Sequence, residues 1–66
     1  MDENEKTILK AWIINTALRF DQDVIDSRED FKRSENTWLA FRLALATERK
    51  TVFDALTAQL YALLNL

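Results

Sequence analysis

Apolar residues recur along this chain at alternating steps of three and four, which is the spacing of one face of an α-helix. In the first half these positions are Leu9, Ile13, Ala17, Phe20, Val24, Ser27 and Phe31. In the second half they are Trp38, Phe41, Leu45, Glu48, Val52, Leu56, Gln59 and Leu63. Only the serine, the glutamate and the glutamine interrupt the two series. The pattern therefore predicts two long helices, each packing through this face.

The segment of lowest apolar density, residues 26–37, contains Phe31 as its single large apolar residue. A turn is predicted inside it, at residues 34–36. Ser34 or Asn36 is the expected N-cap of the second helix, because either side chain can accept a hydrogen bond from a free amide of the first helical turn.

The two predicted helices are similar in length. Asp2 followed by Glu5 is typical of a helix N-terminus, so the first helix is predicted over residues 3–33 and the second over residues 37–65. Each is roughly 45 Å long at the helical rise of 1.5 Å per residue. Folding at the turn lays them antiparallel, with facing residue numbers that sum to about 70. The predicted fold class is all-α, an antiparallel helical hairpin that forms a single helical domain over residues 1–66.

A run of five polar residues, 47–51, interrupts the apolar pattern of the second helix. Thr51 with Asp54 three residues later resembles an N-cap arrangement, so a three-helix fold with a break near residue 49 stays open. A continuous helix is the first choice, because aspartates of the facing part of the first helix could pair with Arg49 and Lys50.

The chain carries more apolar surface than one hairpin can bury, since each helix has a second apolar set beside the first. A lone hairpin would expose a larger apolar patch than soluble monomers usually do. We therefore predict that the hairpin forms a homodimer, a four-helix bundle. The residues assigned to this oligomer or partner interface are Trp12, Ile14, Leu18, Ile25, Leu39, Leu43, Phe53, Leu60, Tyr61 and Leu64. The region around Phe53, Tyr61 and Leu64 could instead bind another protein.

The amino-acid composition excludes several fold classes. The 66 residues include no glycine, proline, cysteine or histidine, and 48% are hydrophobic. Collagen-like, disulfide-rich, disordered and turn-rich β architectures are excluded, and stability has to come from core packing or self-association. The N-terminal residues are acidic, unlike the start of a secretory signal, and the longest apolar stretch, residues 52–66, is too short and too polar for a membrane span. A cytoplasmic location is expected.

The side-chain chemistry available is narrow. Without histidine or cysteine, imidazole and thiol chemistry are absent. The acidic cluster at residues 21–30 fails as a calcium loop, because isoleucine, aspartate and lysine stand where ligand, glycine and glutamate are needed. Asp23, Asp26 and Asp30 share a helix face, but we expect a solvated face with ion pairs from Glu29 to nearby basic residues. No enzyme activity, cofactor, metal or small-molecule substrate is predicted.

Basic residues gather in two places despite the net charge of −2. They are Arg28, Lys32 and Arg33 near the turn, and Arg42, Arg49 and Lys50 on the second helix. Doubled in a dimer, they would form a possible nucleic-acid patch, although interleaved acidic residues disfavour it. The sequence thus predicts a small interaction or regulatory protein that acts through protein–protein contacts. The alternative is a small nucleic-acid-associated regulator.

Overall fold

The computed structural model describes all 66 residues as two helices joined by a tight turn. Helix α1 spans Glu3–Ser34 and helix α2 spans Thr37–Leu64. They pack against each other along their length, and the molecule extends 48 Å along its longest axis. The predicted hairpin is confirmed.

The turn consists of Glu35 and Asn36. Because the chain contains no glycine, another residue has to adopt the left-handed conformation that ends the helix. Glu35 adopts the left-handed conformation, φ 45°, and its amide donates to the carbonyl oxygen of Phe31 at 2.7 Å. This closes α1 in the way a glycine usually does. The Asn36 side chain then accepts from the Leu39 amide at 2.9 Å, so Asn36 caps α2 whereas Ser34 ends α1.

The polar run at residues 47–51 does not break α2. The hydroxyls of Thr47 and Thr51 donate to the carbonyl oxygens four residues earlier, at 2.9 and 3.0 Å. Lys50 binds Asp54 on the same helix at 2.9 Å and Asp21 on α1 at 3.1 Å. The three-helix alternative is therefore wrong, because these polar groups are bonded without interrupting the helical backbone.

Three contacts fix the register of the hairpin. The rings of Phe20 and Phe53 lie 4.9 Å apart between centroids, Asp30 binds Arg42, and Asp21 binds Lys50. The paired numbers sum to 73, 72 and 71, close to the predicted value. The three contacts therefore agree on one antiparallel register for residues 20–30 of α1 against residues 42–53 of α2.

The core is small. Its buried residues are Ile13, Val24 and Ser27 on α1 and Ala46 on α2. On α1 the predicted face is the packed one, since its other members are half-buried. Half-buried aspartates lie beside this face. Ser27 and Ala46 lie at the same level of the hairpin, so small side chains stand where the two helices face each other.

On α2 the prediction of the packed face is wrong. Its six large apolar members are exposed: Trp38, Phe41, Leu45, Val52, Leu56 and Leu63. The side that packs on α1 is the neighbouring one, which holds Ala46 at its centre and five half-buried residues, Leu39, Leu43, Phe53, Leu60 and Leu64. This rotation lets Arg42 and Lys50 reach aspartates of α1. The predicted face would instead bury Glu48 beside those aspartates, which is costly for an unpaired charge.

Neither helix combines enough length with enough apolar character to cross a membrane.

Candidate interaction surface

The hairpin exposes apolar residues on two opposite flanks. Successive residues of a helix are rotated by about 100°, so Trp12 and Ile14 point to opposite sides of the buried Ile13. Ile14, Leu18 and Ile25 repeat at steps of four and seven on one flank, and all three are exposed. Trp12 lies on the other flank of α1, where its side chain is 59% exposed.

The six exposed apolar residues of α2 form a stripe along that helix, which we call the α2 outer stripe: Trp38, Phe41, Leu45, Val52, Leu56 and Leu63. Arg42 adjoins the stripe, being one residue from Phe41 and three from Leu45. Because Arg42 binds Asp23 and Asp30, which share the Trp12 side of α1 at helical spacing, the α2 outer stripe lies on the Trp12 flank. It extends from Trp38 to Leu63, nearly the whole of α2.

A shallow open groove of about 560 Å³ lies at the middle of this flank. Its lining residues are Phe20, Glu48, Arg49, Val52, Phe53 and Leu56. The tilted rings of the two phenylalanines bridge the helices beneath it, and the glutamate and arginine are exposed. An apolar side chain from another molecule could insert here with charged groups beside it.

Four of the ten residues predicted to form an interface are exposed: Trp12, Ile14, Leu18 and Ile25. The other six are half-buried on the side of α2 that packs on α1: Leu39, Leu43, Phe53, Leu60, Tyr61 and Leu64. In the hairpin these six residues pack on α1, and their assignment to an oligomer or partner interface stays a prediction. The sequence predicts that the α2 outer stripe packs inside the hairpin, because its apolar spacing is as regular as that of a core face.

A signal in the sequence could have identified the free face of α2. Arg42 and Lys50 stand on either side of Ala46, at the levels of Asp30 and Asp21. Glu48 has no basic residue at its own level of α1. Matching charges across the hairpin therefore selects the face centred on Ala46.

The shortest polar contact between the helices is made by Arg42. Its guanidinium donates to the Asp30 carboxylate at 2.6 Å and lies 3.9 Å from that of Asp23. Arg33 also binds Asp30, at 3.2 Å; the predicted pairs from Glu29 are not formed, because the nearer carboxylate of Asp30 takes Arg33. Such half-exposed pairs mainly fix rotation and register, since pairs near solvent contribute about 1 kcal/mol or less.

Lys50 makes the second polar contact between the helices. Its hydrogen bonds with Asp54 and then with Asp21 raise the pKa of the Lys50 ammonium above its ordinary value. The charged form is thus favoured, and it neutralises one carboxylate from each helix.

Half of the predicted basic patch is occupied within the hairpin. Arg33, Arg42 and Lys50 are bound to carboxylates. Arg28 and Lys32 are exposed on α1 and Arg49 on α2. No group of three carboxylates is arranged to hold a metal ion, because the aspartates of α1 face arginine and lysine instead.

Comparison with protein-family models, curated proteins and solved structures finds no match to this chain. The function is therefore inferred from the hairpin's own surface.

Proposed function

We propose that this protein is a small helical interaction or regulatory protein that acts as a homodimer through protein–protein contacts. In this proposal two hairpins form a four-helix bundle in the cytoplasm, and the assembled surface, not a catalytic site, carries the function. The single observation that supports it is the unpartnered apolar surface of the hairpin.

The balance of buried and exposed apolar side chains supports association. Twelve large hydrophobic residues are at least 38% exposed, whereas only three apolar residues are buried. A chain this short has little stability to spare when its core is so small. Burying the exposed side chains against a second copy would supply about 25 cal/mol for each Å² of apolar surface removed from water.

The non-enzymatic part of the proposal rests on the residues available. With no histidine or cysteine in the sequence, the usual general base and thiol nucleophile are absent. The carboxylates best placed between the helices, those of Asp21 and Asp30, are bound to Lys50 and Arg42. They serve the hairpin as ion-pair partners.

The nucleic-acid alternative has weaker support. Phosphate binding depends on free cationic side chains gathered on one surface, and three of the six predicted basic residues are already paired with carboxylates. An electrophoretic shift with duplex DNA at low salt, lost on Arg28→Ala and Lys32→Ala substitution, would favour this alternative over the first proposal.

Sedimentation equilibrium of the purified protein tests the proposal directly. We expect a dimer at micromolar concentration, with the helical circular dichroism of the hairpin retained. Mass photometry does not depend on sedimentation and checks the same species. A well-folded monomer at these concentrations would contradict the proposal, because the apolar flanks would then be stable in water without a second copy.

A further inference from the structure

We propose that two copies dock through the Ile14 flank, the side of the hairpin that carries Ile14, Leu18 and Ile25. A two-fold axis perpendicular to the helices lays α1 antiparallel on α1 and α2 antiparallel on α2. The inference rests on the proposed homodimer and goes beyond it by assigning the face, the orientation and the register. The α2 outer stripe stays exposed in this dimer.

Four charged residues form one line along this flank of α1: Glu3, Lys10, Asp21 and Arg28. The first and third are separated by 18 residues, as are the second and fourth, and this separation is five turns at about 3.6 residues per turn. The first two are seven residues apart, so all four side chains leave the helix within about 20° of one another. Asp21 is seven residues from Ile14, so the line runs beside the apolar residues of the flank.

The signs of this line alternate, so the line is complementary to itself when reversed. In an antiparallel pair whose facing numbers sum to about 31, Glu3 faces Arg28 of the second copy. In the same register Lys10 faces Asp21 of the second copy. A perpendicular two-fold axis keeps each side chain on its own side of the contact, and these four share one side, so each pair joins opposite charges and occurs twice. Lys10 and Arg28 take part in no ion pair of the hairpin.

The same register brings the apolar residues of the flank together. Ile14 faces Leu18 of the second copy on either side of the axis, and Ile25 faces its Thr7. Ile14 and Leu18 are 57% and 60% exposed in the hairpin, so their contact removes apolar surface from water. The interface then has an apolar centre with charged pairs towards its ends, as specific interfaces usually do.

The second helices meet in a register that agrees with the first. Contacts within the hairpin join residues whose numbers sum to about 72, so α2 residues that face each other across the axis sum to about 112. Thr51 then faces Tyr61 of the second copy, and its hydroxyl is already hydrogen-bonded within α2. Asp54 faces Ala58 of the second copy and stays bound to Lys50 of its own chain at 2.9 Å.

The contact is large enough for a stable dimer. In this register α1 overlaps its copy over residues 3–28 and α2 over residues 48–64, which are about 40 and 25 Å long at the helical rise. With a width of roughly 10 Å for each helix, the two copies together bury about 1,300 Å². Specific interfaces bury about 1,200–2,000 Å² in total.

The other flank and the other axis do not match charges in this way. On the Trp12 flank, a perpendicular axis places Glu48 beside Glu48 and Arg49 beside Arg49 of the second copy. On the Ile14 flank, an axis parallel to the helices lays α1 on α2 with facing numbers that sum to about 72. Leu18 would then face Asp54 of the second copy, and the charged line of α1 would meet no charged residue at its own levels.

Matched substitutions on the two flanks test the face. Leu18 and Leu56 are 60% and 58% exposed, so an aspartate at either position should leave the hairpin folded, which circular dichroism checks. We expect Leu18→Asp to raise the dimer Kd about hundredfold or more, because it places two carboxylates in the apolar centre of the interface. Leu56→Asp should keep the Kd within about threefold of the wild-type value. Sedimentation equilibrium measures the Kd values.

Reversing one charge of the line tests the register. In Lys10→Glu the introduced glutamate would face Asp21 of the other copy, and the axis repeats this contact. We expect the Kd to rise about tenfold or more, because like charges oppose each other twice in one interface. Arg19→Glu makes the same change in charge at an exposed residue of the Trp12 flank, and it should leave the Kd unchanged.

Mixing two further variants is the decisive experiment. Arg28→Glu and Glu3→Lys each bring like charges together in their own dimers, so we expect each Kd to rise about threefold or more. Their heterodimer has opposite charges in both pairs, and its Kd should return to within about twofold of the wild-type value. Glu5→Lys is the matched control, since it makes the same change in the first turn of α1 at an exposed residue of the Trp12 flank.

The outcomes separate this inference from the proposed function. If the wild-type protein dimerises and Leu56→Asp, but not Leu18→Asp, raises the Kd, the assigned face is wrong and the homodimer stands. If Leu18→Asp weakens the dimer but Lys10→Glu does not, or if mixing restores nothing, the register is wrong. If the wild-type protein is a monomer, the proposed function and the docking geometry are both wrong.

Discussion

At the scale of single residues, Ser27 is the least expected member of the core. Its side chain is fully buried, and its hydroxyl oxygen has no hydrogen-bond partner. A buried hydroxyl without a partner has lost its hydrogen bonds to water and has formed none within the protein. Its small size is what the position uses, because Ala46 lies at the same level of α2 and is also buried.

Replacing this serine should therefore stabilise the hairpin. We expect Ser27→Ala to raise the free energy of unfolding by about 1 kcal/mol, since it removes the unpaired hydroxyl and improves helix propensity. Urea denaturation followed by circular dichroism measures the change. Ser27→Leu is the control for size and should destabilise by about 1–3 kcal/mol, because a larger side chain forces the helices apart. A destabilised alanine variant would show that the hydroxyl has a bonding partner.

At the scale of the elements, each helix end is capped by a side chain or by a left-handed residue. Asp2 accepts from the Glu5 amide at 2.8 Å, and Asn36 has the same role at α2. Glu35 and Asn65 close the two C-termini with positive φ values of 45° and 53°. For a residue with a Cβ atom this conformation costs about 1 kcal/mol, so the turn holds strain at Glu35 that a glycine would lack.

A glycine at the turn should relieve this strain. We expect Glu35→Gly to raise the free energy of unfolding by about 0.5–1 kcal/mol, because the left-handed conformation is accessible to glycine without steric penalty. Thermal and urea unfolding both report the change. Ser34→Gly is the matched control one residue earlier, where the backbone is helical, and it should destabilise by about 0.5–1 kcal/mol. Equal effects at the two positions would contradict the assigned turn.

At the scale of the whole molecule, the hairpin is a single layer of two helices. Every residue of its core has solvent close by on both flanks, which explains why only four residues are buried. The α2 outer stripe and the flank formed by Ile14, Leu18 and Ile25 are exposed in this layer. Association would turn one flank into an interior and leave the other available for a different protein.

If folding and association are coupled, stability depends on protein concentration. We expect the Tm to rise by about 5 °C for each tenfold increase in concentration, as for two 66-residue chains that unfold and separate together. Differential scanning calorimetry over about a hundredfold range of concentration measures it. A Tm that does not change over this range would show that the hairpin is stable by itself.

The sequence by itself determined the helical hairpin, the position of the turn and the packed face of α1, but it left the continuity of α2 through residues 47–51 open. The regular apolar spacing from Leu9 to Phe31, the lack of glycine and proline, and the cap residues are local signals. Local interactions act within one turn of a helix, so they can be recognised without knowing what lies opposite. The antiparallel register followed from the equal lengths of the helices on either side of the turn.

Only the tertiary structure decided the rotation of α2, and with it the candidate interface. Helix α2 carries two apolar faces of similar quality, and periodicity does not distinguish them. The choice depends on partners on the other helix, the aspartates that bind Arg42 and Lys50. Because charge pairing acts across the hairpin and not along the chain, it placed Ala46 inside and Leu45 outside. This rotation leaves the α2 outer stripe exposed.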